Sequence, residues 1–267
     1  MALALPSSLS PSKVASFKDC ALAFKFAAID RLPEPPSPWS TKGTLVHRAL
    51  ELLFCEPPER RSLEVGLTQL DRAREELRDD PDFTGLALDA EAEAAFFAEA
   101  DQLVRRYFEL EDPTHIRPIG LELKLEASLG SLTLRGIIDR LELDDNGDLV
   151  VTDYKTGKVP GESYEQSRLG GVHFYAFLCE QVFGARPARI QLLYLSEPVA
   201  IVAEPTEQSI RGLRQRTSAI WTAVERACER DDFRPRPSRL CDWCAFRDYC
   251  PAWGGDPAQA RELLRIA

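Results

Sequence analysis

LVVTDYKTGK, residues 149–158, is a run of β-forming residues that ends in Asp153, with Lys155 two positions later and a glycine turn at Gly157. Successive side chains of a strand point to opposite faces of the sheet, so Asp153 and Lys155 share a face. The stretch therefore predicts a strand that presents an acid and a lysine side by side where it ends.

Four further strand patterns surround this stretch. They are PIGLELKLEASL (118–129), LTLRGIIDRLEL (132–143), QLLYLSE (191–197) and AIVAE (200–204). Turn residues occur at Gly130-Ser131 and in DDNGD (144–148), so the first two strands and 148–155 form a meander. The other periodic segments predict helices over about 11–29, 43–54, 62–111 with a break at Asp80-Pro81, 163–183 and 206–230. This order predicts an α/β fold with a central mixed β-sheet, flanked by helices from both termini.

The predicted strand 132–143 carries an acid in register with Asp153. With Asn146 as the centre of the turn, Asp139 lies seven residues before it and Asp153 seven residues after it. In such a hairpin the two residues face each other, with Cβ atoms about 4.5–5.5 Å apart. Two carboxylates this close repel unless a cation lies between them, and Mg²⁺ and Mn²⁺ prefer oxygen ligands. Lys155 could orient or deprotonate a metal-bound water, or stabilise charge on a phosphate.

Spacing alone leaves a second interpretation open, in which Asp153 and Lys155 form an exposed salt bridge on a surface hairpin. The phosphate-binding pattern G-x4-G-K-[ST] does not fit, because Val159 follows Gly157-Lys158. Glu122, on the first predicted strand, is a further candidate acid.

The composition is that of an ordinary globular protein, with 28% charged and 44% hydrophobic residues. The formal charge of −10 belongs to residues 56–112, which contain 17 Asp or Glu, 7 Arg and no Lys, while the rest has 26 basic and 26 acidic residues. Surfaces outside this segment could therefore meet a polyanion. The sequence has no signal-peptide pattern and no run of 18 apolar residues, so we expect a cytoplasmic protein without a membrane span.

The cysteine pattern points to a metal site. Cys241, Cys244 and Cys250 have the spacing C-x2-C-x5-C, one ligand short of a tetrahedral zinc or a [4Fe-4S] cluster, and Cys20 is the candidate fourth ligand. Without a secretory signal, a disulfide framework is not expected. Three other cysteines have apolar helical neighbours and are expected to be small buried side chains: Cys55, Cys179 and Cys228.

Two motifs carry a resemblance to a known family. GIIDR (136–140), followed by DYKTGK (153–158), resembles the active-site core of the PD-(D/E)XK nucleases, specifically their RecB-like exonuclease branch. GTLVHRALE (43–51) resembles the helix that carries the histidine of that branch. The resemblance implies a restriction-endonuclease-like core and a bound Mg²⁺ or Mn²⁺ ion.

The family's site residues carry over onto matching positions. The resemblance implies that the metal ligands are His47, Asp139, Asp153 and the backbone carbonyl of Tyr154. It also implies that Lys155 is catalytic, and Glu122 resembles an acid often found on the preceding strand.

One motif departs from the family. The next helix often carries Gln-x3-Tyr, with both side chains near the active site. Here Tyr175 is present, but Gly171 stands where the glutamine would be, and Gln166 lies five residues further back.

A distant N-terminal cysteine with a C-terminal C-x2-C-x5-C is similar to the iron–sulfur subgroup of this branch, which includes AddB-type and CRISPR-associated RecB-like nucleases. This resemblance implies that a [4Fe-4S] cluster, with zinc as the alternative, is held by Cys20, Cys241, Cys244 and Cys250. The cluster would join the N- and C-terminal segments, and a cross-link over so long a loop restricts the unfolded chain strongly.

The resemblance spans nearly the whole chain and implies a single nuclease domain over 1–267. Its parts would be a helical N-terminal part (1–117), a catalytic sheet core (118–204), and a helix with a Cys-rich tail (205–267). The implied function is a metal-dependent DNA nuclease, an exonuclease on single-stranded DNA or DNA ends, in repair or recombination. The alternative is a non-catalytic DNA-end-binding module or a scaffold for a helicase partner, which the missing glutamine at 171 favours.

Overall fold

The computed structural model describes residues 3–260, apart from the side chains of residues 162–170. It contains one five-stranded sheet in the order β1-β2-β3-β4-β5. The strands are β1 Pro118–Leu129, β2 Leu132–Leu143, β3 Leu149–Lys155, β4 Arg189–Tyr194 and β5 Val199–Ala203. Strand β3 pairs antiparallel with β2 and parallel with β4, which confirms the predicted mixed sheet. The parallel pair requires a crossover, and a helix between β3 and β4 supplies it.

The described α-helices agree with the sequence patterns in most places. Their bounds are α1 Pro11–Asp19, α2 Ala21–Phe24, α3 Pro38–Cys55, α4 Leu63–Leu77, α5 Pro81–Thr84, α6 Ala90–Leu110, α7 Glu162–Phe183 and α8 Glu207–Arg230. The predicted break at Asp80-Pro81 is confirmed. The Asp80 side chain accepts the Asp82 N–H as an N-cap, and Pro81 takes the first helical position. None of the described helices is both long and apolar enough to cross a membrane.

The predicted continuous helix over 11–29 is wrong at its centre. Cys20 has extended backbone angles (φ −159°, ψ 111°), so the chain leaves the helix there and re-enters it in α2. A π-helical turn, Lys25–Asp30, follows, in which the buried Lys25 ammonium lies 2.6 Å from Asp30 Oδ2. The interruption turns Cys20 away from the regular helical register that the periodicity implied.

The chain divides into two compact units. The terminal unit comprises Met1–Pro35, Glu126–Gly136 and Arg211–Ala267, and the central unit comprises Pro36–Leu125 and Ile137–Ile210. The prediction of a single domain over 1–267 stays a prediction.

The core of the central unit lies where α3, α4 and α6 pack together with buried residues of β3 and β4. Helix α3 contributes Leu45, Val46, Ala49, Leu50, Leu52, Leu53 and Phe54 to this core. The ring of Tyr154 in β3 packs edge-on against Tyr107 of α6 and against His47 of α3, with ring centroids 5.8 Å apart in both pairs. This packing fixes α3 against the strand that ends in Asp153 and Lys155.

The terminal unit brings distant parts of the chain together. The Leu9 N–H donates to the Thr133 carbonyl and the Arg135 N–H donates to the Leu9 carbonyl, both at 2.9 Å. The Leu3 N–H donates to the Cys228 carbonyl at 3.0 Å. Backbone pairing therefore ties the N-terminal segment to residues more than one hundred positions later.

The three cysteines expected to be buried do not behave alike. Cys179 and Cys228 are buried as predicted, but Cys55 is exposed. Cys55 is the last residue of α3, so its side chain lies beyond the apolar face that the preceding turns bury.

Candidate metal centre and active site

The hairpin register is the one that the sequence predicts. Strand β2 pairs with β3 through Arg140↔Thr152, Leu141↔Val151, Glu142↔Val150 and Leu143↔Leu149. These pairs are centred on Asn146, and the next step of the same register brings Asp139 opposite Asp153. Both aspartates are buried. The two acids therefore lie side by side in the interior of the central unit.

Helix α3 brings His47 close to residues of β1, β2 and β3. The His47 Nδ1 atom lies 3.5 Å from Asp139 Oδ2 and 3.9 Å from Glu122 Oε1, while Nε2 lies 3.2 Å from the Tyr154 carbonyl oxygen. One ligand atom each from His47, Glu122 and Asp139 fall within 4.8 Å of one another. A nitrogen and two carboxylates this close form a group that could hold a divalent metal ion.

Asp153 lies next to this group and has its own partners. The Lys155 ammonium pairs with Asp153 Oδ2, and the Tyr175 hydroxyl donates to Asp153 Oδ1 at 3.3 Å. Burial and the charge of Asp153 raise the pKa of Tyr175, so the phenol keeps its proton and remains a donor. Lys155 and Tyr175 thus hold the two oxygens of one buried carboxylate.

The Tyr154 backbone connects the two parts of the site. Its N–H donates to Asp139 Oδ2 at 2.6 Å, and its carbonyl faces His47. A shift of the Tyr154 backbone would therefore alter its contact with Asp139 and its contact with His47 at the same time.

The acidic groups raise one another's proton affinity. Burial, and then the charge of Asp139, raise the pKa of Glu122 to about 7, although His47 opposes this. Burial also raises the pKa of Asp153, against the influence of Lys155. Burial lowers the pKa of His47, but its hydrogen bond to Asp139 and the surrounding carboxylates outweigh burial and raise it. The site thus concentrates negative charge that a bound cation would neutralise.

The Glu122 backbone is strained. Its φ of +44° lies in the left-handed region, which is uncommon for a non-glycine residue within a strand. Such conformations cost about 1–3 kcal/mol and occur where the surrounding structure demands them, often at functional sites.

The position that departs from the family pattern is open. Gly171 lies one turn before Tyr175 on α7, and a Cβ atom built there meets no described atom within 4 Å. Gln166, the displaced glutamine, falls among the side chains outside the described residues.

Sequence reasoning missed a buried polar network beside the site. Arg140 is fully buried and donates to both carboxylate oxygens of Glu111 at 2.8 Å, to Glu142 at 2.7 Å and to the Tyr154 hydroxyl at 2.9 Å. Gln191 joins it through Glu111 at 2.8 Å. The charged residue after Asp139 in GIIDR was the available signal, but Glu111, which directly follows α6, has no fixed sequence spacing to it.

The four candidate cluster ligands all belong to the terminal unit. The Arg236 N–H donates to Cys20 Sγ at 3.5 Å, and the Ser238 N–H donates to Cys241 Sγ at 3.4 Å. Burial raises the pKa of the Cys244 thiol, and the charges of the other three cysteines raise it further. Within the described part of the chain, no three of these sulfurs lie within 4.8 Å of one another.

Comparison with known proteins assigns the class. The family model of the PD-(D/E)XK nuclease superfamily matches residues 8–251, so the chain belongs to this superfamily. Asp153, Tyr154 and Lys155 match the (D/E)XK part of that name, whereas Ile138 precedes Asp139 where the name has a proline.

Individual relatives are distant. The chain is 24% identical over 271 residues to the gene 69 protein of Mycobacterium phage D29, covering 91% of this chain and 96% of that protein. It is 28% identical over 136 residues to the gene 69 protein of Mycobacterium phage L5, covering 50% of this chain and 44% of that protein. Its fold is similar to the crystal structure of a protein of Eubacterium rectale that is provisionally named an exonuclease. That match has a TM-score of 0.50 and 13% identity, and it covers 90% of this chain and 87% of the other.

Proposed function

We propose that this protein is a metal-dependent DNA nuclease of the RecB-like type, acting as an exonuclease on single-stranded DNA or DNA ends in repair or recombination. The observation that carries the proposal is the group of His47, Glu122 and Asp139 next to the Asp153–Lys155 pair. Superfamily membership supports phosphodiester hydrolysis as the reaction. The predicted cytoplasmic location stays a prediction.

The donor set fits Mg²⁺ or Mn²⁺. His47, Glu122, Asp139 and the Tyr154 carbonyl would hold the ion, with Asp153 beside them, because these are the oxygen and imidazole ligands that such ions accept. When bound, the ion would polarise a phosphate oxygen and lower the pKa of a coordinated water. The strained backbone of Glu122 fixes its carboxyl group in the site. Its raised pKa reflects burial and the nearby negative charge of Asp139, which a bound cation would neutralise.

Lys155 would act from the end of β3. Its ammonium group forms an ion pair with Asp153, which holds the lysine beside the acids of the site. From there it can orient a water molecule or stabilise negative charge on the phosphate. Tyr175 holds Asp153 from the other oxygen and is thus assigned a positioning role.

For the cysteines we propose the [4Fe-4S] cluster. The Cys20 and Cys241 sulfurs accept backbone N–H bonds from Arg236 and Ser238, and the sulfur ligands of such clusters also accept hydrogen bonds. A zinc ion with Zn–S bonds of about 2.3 Å would hold its sulfurs about 3.8 Å apart. Metal analysis of the purified protein distinguishes iron from zinc at these four cysteines.

A second function has one observation in its favour. Gly171 stands where the family often has a glutamine near the active site. The absence of this glutamine favours a DNA-end-binding module or a scaffold for a helicase partner. The intact set of Asp139, Asp153 and Lys155 favours catalysis, because a binding module has no need of a lysine paired to a buried acid.

The test is degradation of end-labelled single-stranded DNA by anaerobically purified protein with and without Mn²⁺. We expect metal-dependent loss of label in the wild type and loss of this activity in Asp153→Asn and Lys155→Met. The matched controls are Asp145→Asn, in the exposed turn of the same hairpin, and Lys124→Met, at an exposed position of β1. Wild-type protein that binds DNA without degrading it would support the binding module.

A further inference from the structure

The first turn of α3 carries an exposed indole on the helix face that leads to His47. Trp39 is 71% exposed, although single exposed apolar side chains are common and do not mark a site by themselves. Residues four apart on a helix form an inclined row, so Trp39, Gly43 and His47 lie along one such row. At 1.5 Å per residue, Trp39 lies about 12 Å along the helix axis from His47.

This row faces the segment that follows the candidate active site. A Cβ atom at Gly43 would lie 3.2 Å from the Thr156 hydroxyl, and Thr156 comes directly after Lys155. The absence of a side chain at Gly43 lets the loop approach the helix. Lys158, two residues further along this loop, is exposed and supplies a cation. The row therefore leads from the metal centre past a basic loop to the indole.

The indole is held from one side. The Lys42 ammonium lies 4.8 Å from the Trp39 ring centroid, and Lys42 is itself buried and paired with Glu99. A buried, ion-paired lysine is a fixed support for the ring. Most of the indole surface nevertheless remains in solvent, so a flat partner can stack on it.

We infer that Trp39 stacks on an unpaired base of a single-stranded nucleic acid that is bound at the active site; this rests on the proposed nuclease function. Aromatic side chains hold single strands by stacking, because every base has a π face, whereas the bases of a duplex already stack on one another. A distance of about 12 Å corresponds to roughly two to four nucleotides, since stacked nucleotides are about 3.4 Å apart and extended ones about twice that.

The experiment measures binding of a fluorescent oligothymidine and of a blunt duplex by anisotropy, without divalent metal so that neither is cleaved. We expect Trp39→Ala to weaken binding of the single strand about 10-fold or more, and Trp39→Phe to retain most of it. Duplex binding should be unchanged. The control is Phe183→Ala, which removes another exposed aromatic side chain of the central unit, at the end of α7.

An abasic scan locates the contact. A single abasic nucleotide, moved along the oligonucleotide, should weaken binding by the wild type at one or two adjacent positions and have no further effect on Trp39→Ala. Equal losses on single strand and duplex, equal losses in Phe183→Ala, or unchanged binding by a folded Trp39→Ala would each overturn the inference. If the wild type cleaves DNA but Trp39→Ala binds normally, only the stacking is wrong. If Trp39→Ala loses the single strand but the wild type never cleaves, the nuclease proposal is wrong and the stacking stands.

Discussion

Arg140 is the centre of a buried polar network beside the candidate metal centre. Its guanidinium binds Glu111, Glu142 and the Tyr154 hydroxyl, while the backbone of the same tyrosine binds Asp139 and faces His47. Arg140 therefore holds the Tyr154 side chain in place, while the backbone of Tyr154 contacts Asp139 and His47 of the candidate metal centre.

Replacing Arg140 by Met should cost about 3–5 kcal/mol of the free energy of unfolding, because the buried Glu142 and the partly buried Glu111 would lose their cation. Urea unfolding monitored by circular dichroism measures this. Arg105→Met removes an equivalent charge from an exposed pair with Asp101 and should cost no more than about 1 kcal/mol. Similar costs for both variants would show that the buried network contributes little.

The acids of the candidate metal centre should lower the free energy of unfolding of the metal-free protein as the pH rises. The pKa of Glu122 is about 7 in the folded state against an ordinary 4.5, so folding favours its protonated form. The stabilisation is complete below about pH 4.5 and is lost as the pH rises through 7. The raised pKa values of Asp153 and His47 act in the same direction.

Urea unfolding in EDTA at pH 5, 6, 7 and 8 tests this expectation. The free energy of unfolding should fall along the series, and Glu122→Gln should reduce the slope. Saturating Mn²⁺ should restore stability at pH 8, because the ion binds the ionised carboxylates. A free energy of unfolding that rises with pH in EDTA would contradict the proposed environment of Glu122.

At the scale of elements, strands were predicted better than helix interruptions. The β2–β3 hairpin followed from alternation and a turn sequence, and its register fixed the positions of Asp139 and Asp153. The break at Cys20 had no signal in periodicity, since the residues on both sides favour helix. The Arg140 network also escaped prediction, because Glu111 and Gln191 reach it only through the packing of α6 and β4.

Helix α7 offers a gain-of-function test. Gly171 lies one turn before Tyr175, a Cβ atom built there meets no described atom within 4 Å, and glycine costs a helix about 0.5–1 kcal/mol relative to alanine. We expect Gly171→Gln to raise the melting temperature and to increase the cleavage rate, because it restores an amide beside the site. Gly171→Ala is the control and should raise only the melting temperature. A cleavage rate that falls in the glutamine variant would show that this chain needs the open position.

At the scale of the whole molecule, the terminal unit depends on segments from both ends of the sequence. The Arg236 N–H reaches Cys20 Sγ, and the Arg236 guanidinium donates to the Lys18 carbonyl at 2.9 Å. Phe26 packs on Phe246, with ring centroids 5.4 Å apart. A cofactor held by Cys20 and the C-terminal cysteines would close this loop covalently.

For the proposed [4Fe-4S] cluster, Cys20→Ser should remove iron and visible absorbance and lower the melting temperature by about 10–20 °C, as expected for loss of a cross-link over a long loop. Iron analysis and thermal unfolding of anaerobically purified protein measure both effects. Cys55→Ser, at an exposed cysteine, should change neither. Iron content that survives in Cys20→Ser would exclude it as the fourth ligand.

The contact between Cys20 and Arg236 also sets an order of assembly on the ribosome. The two residues are 216 positions apart, so at roughly 5–20 residues per second Cys20 waits about 10–40 s for its partner to be synthesised. During that interval Phe24 and Phe26, both buried in the finished protein, have no C-terminal residues to pack against. The nascent N-terminal segment therefore exposes apolar side chains that are buried in the finished protein, while Pro36–Leu125 and Ile137–Ile210 can already begin to fold.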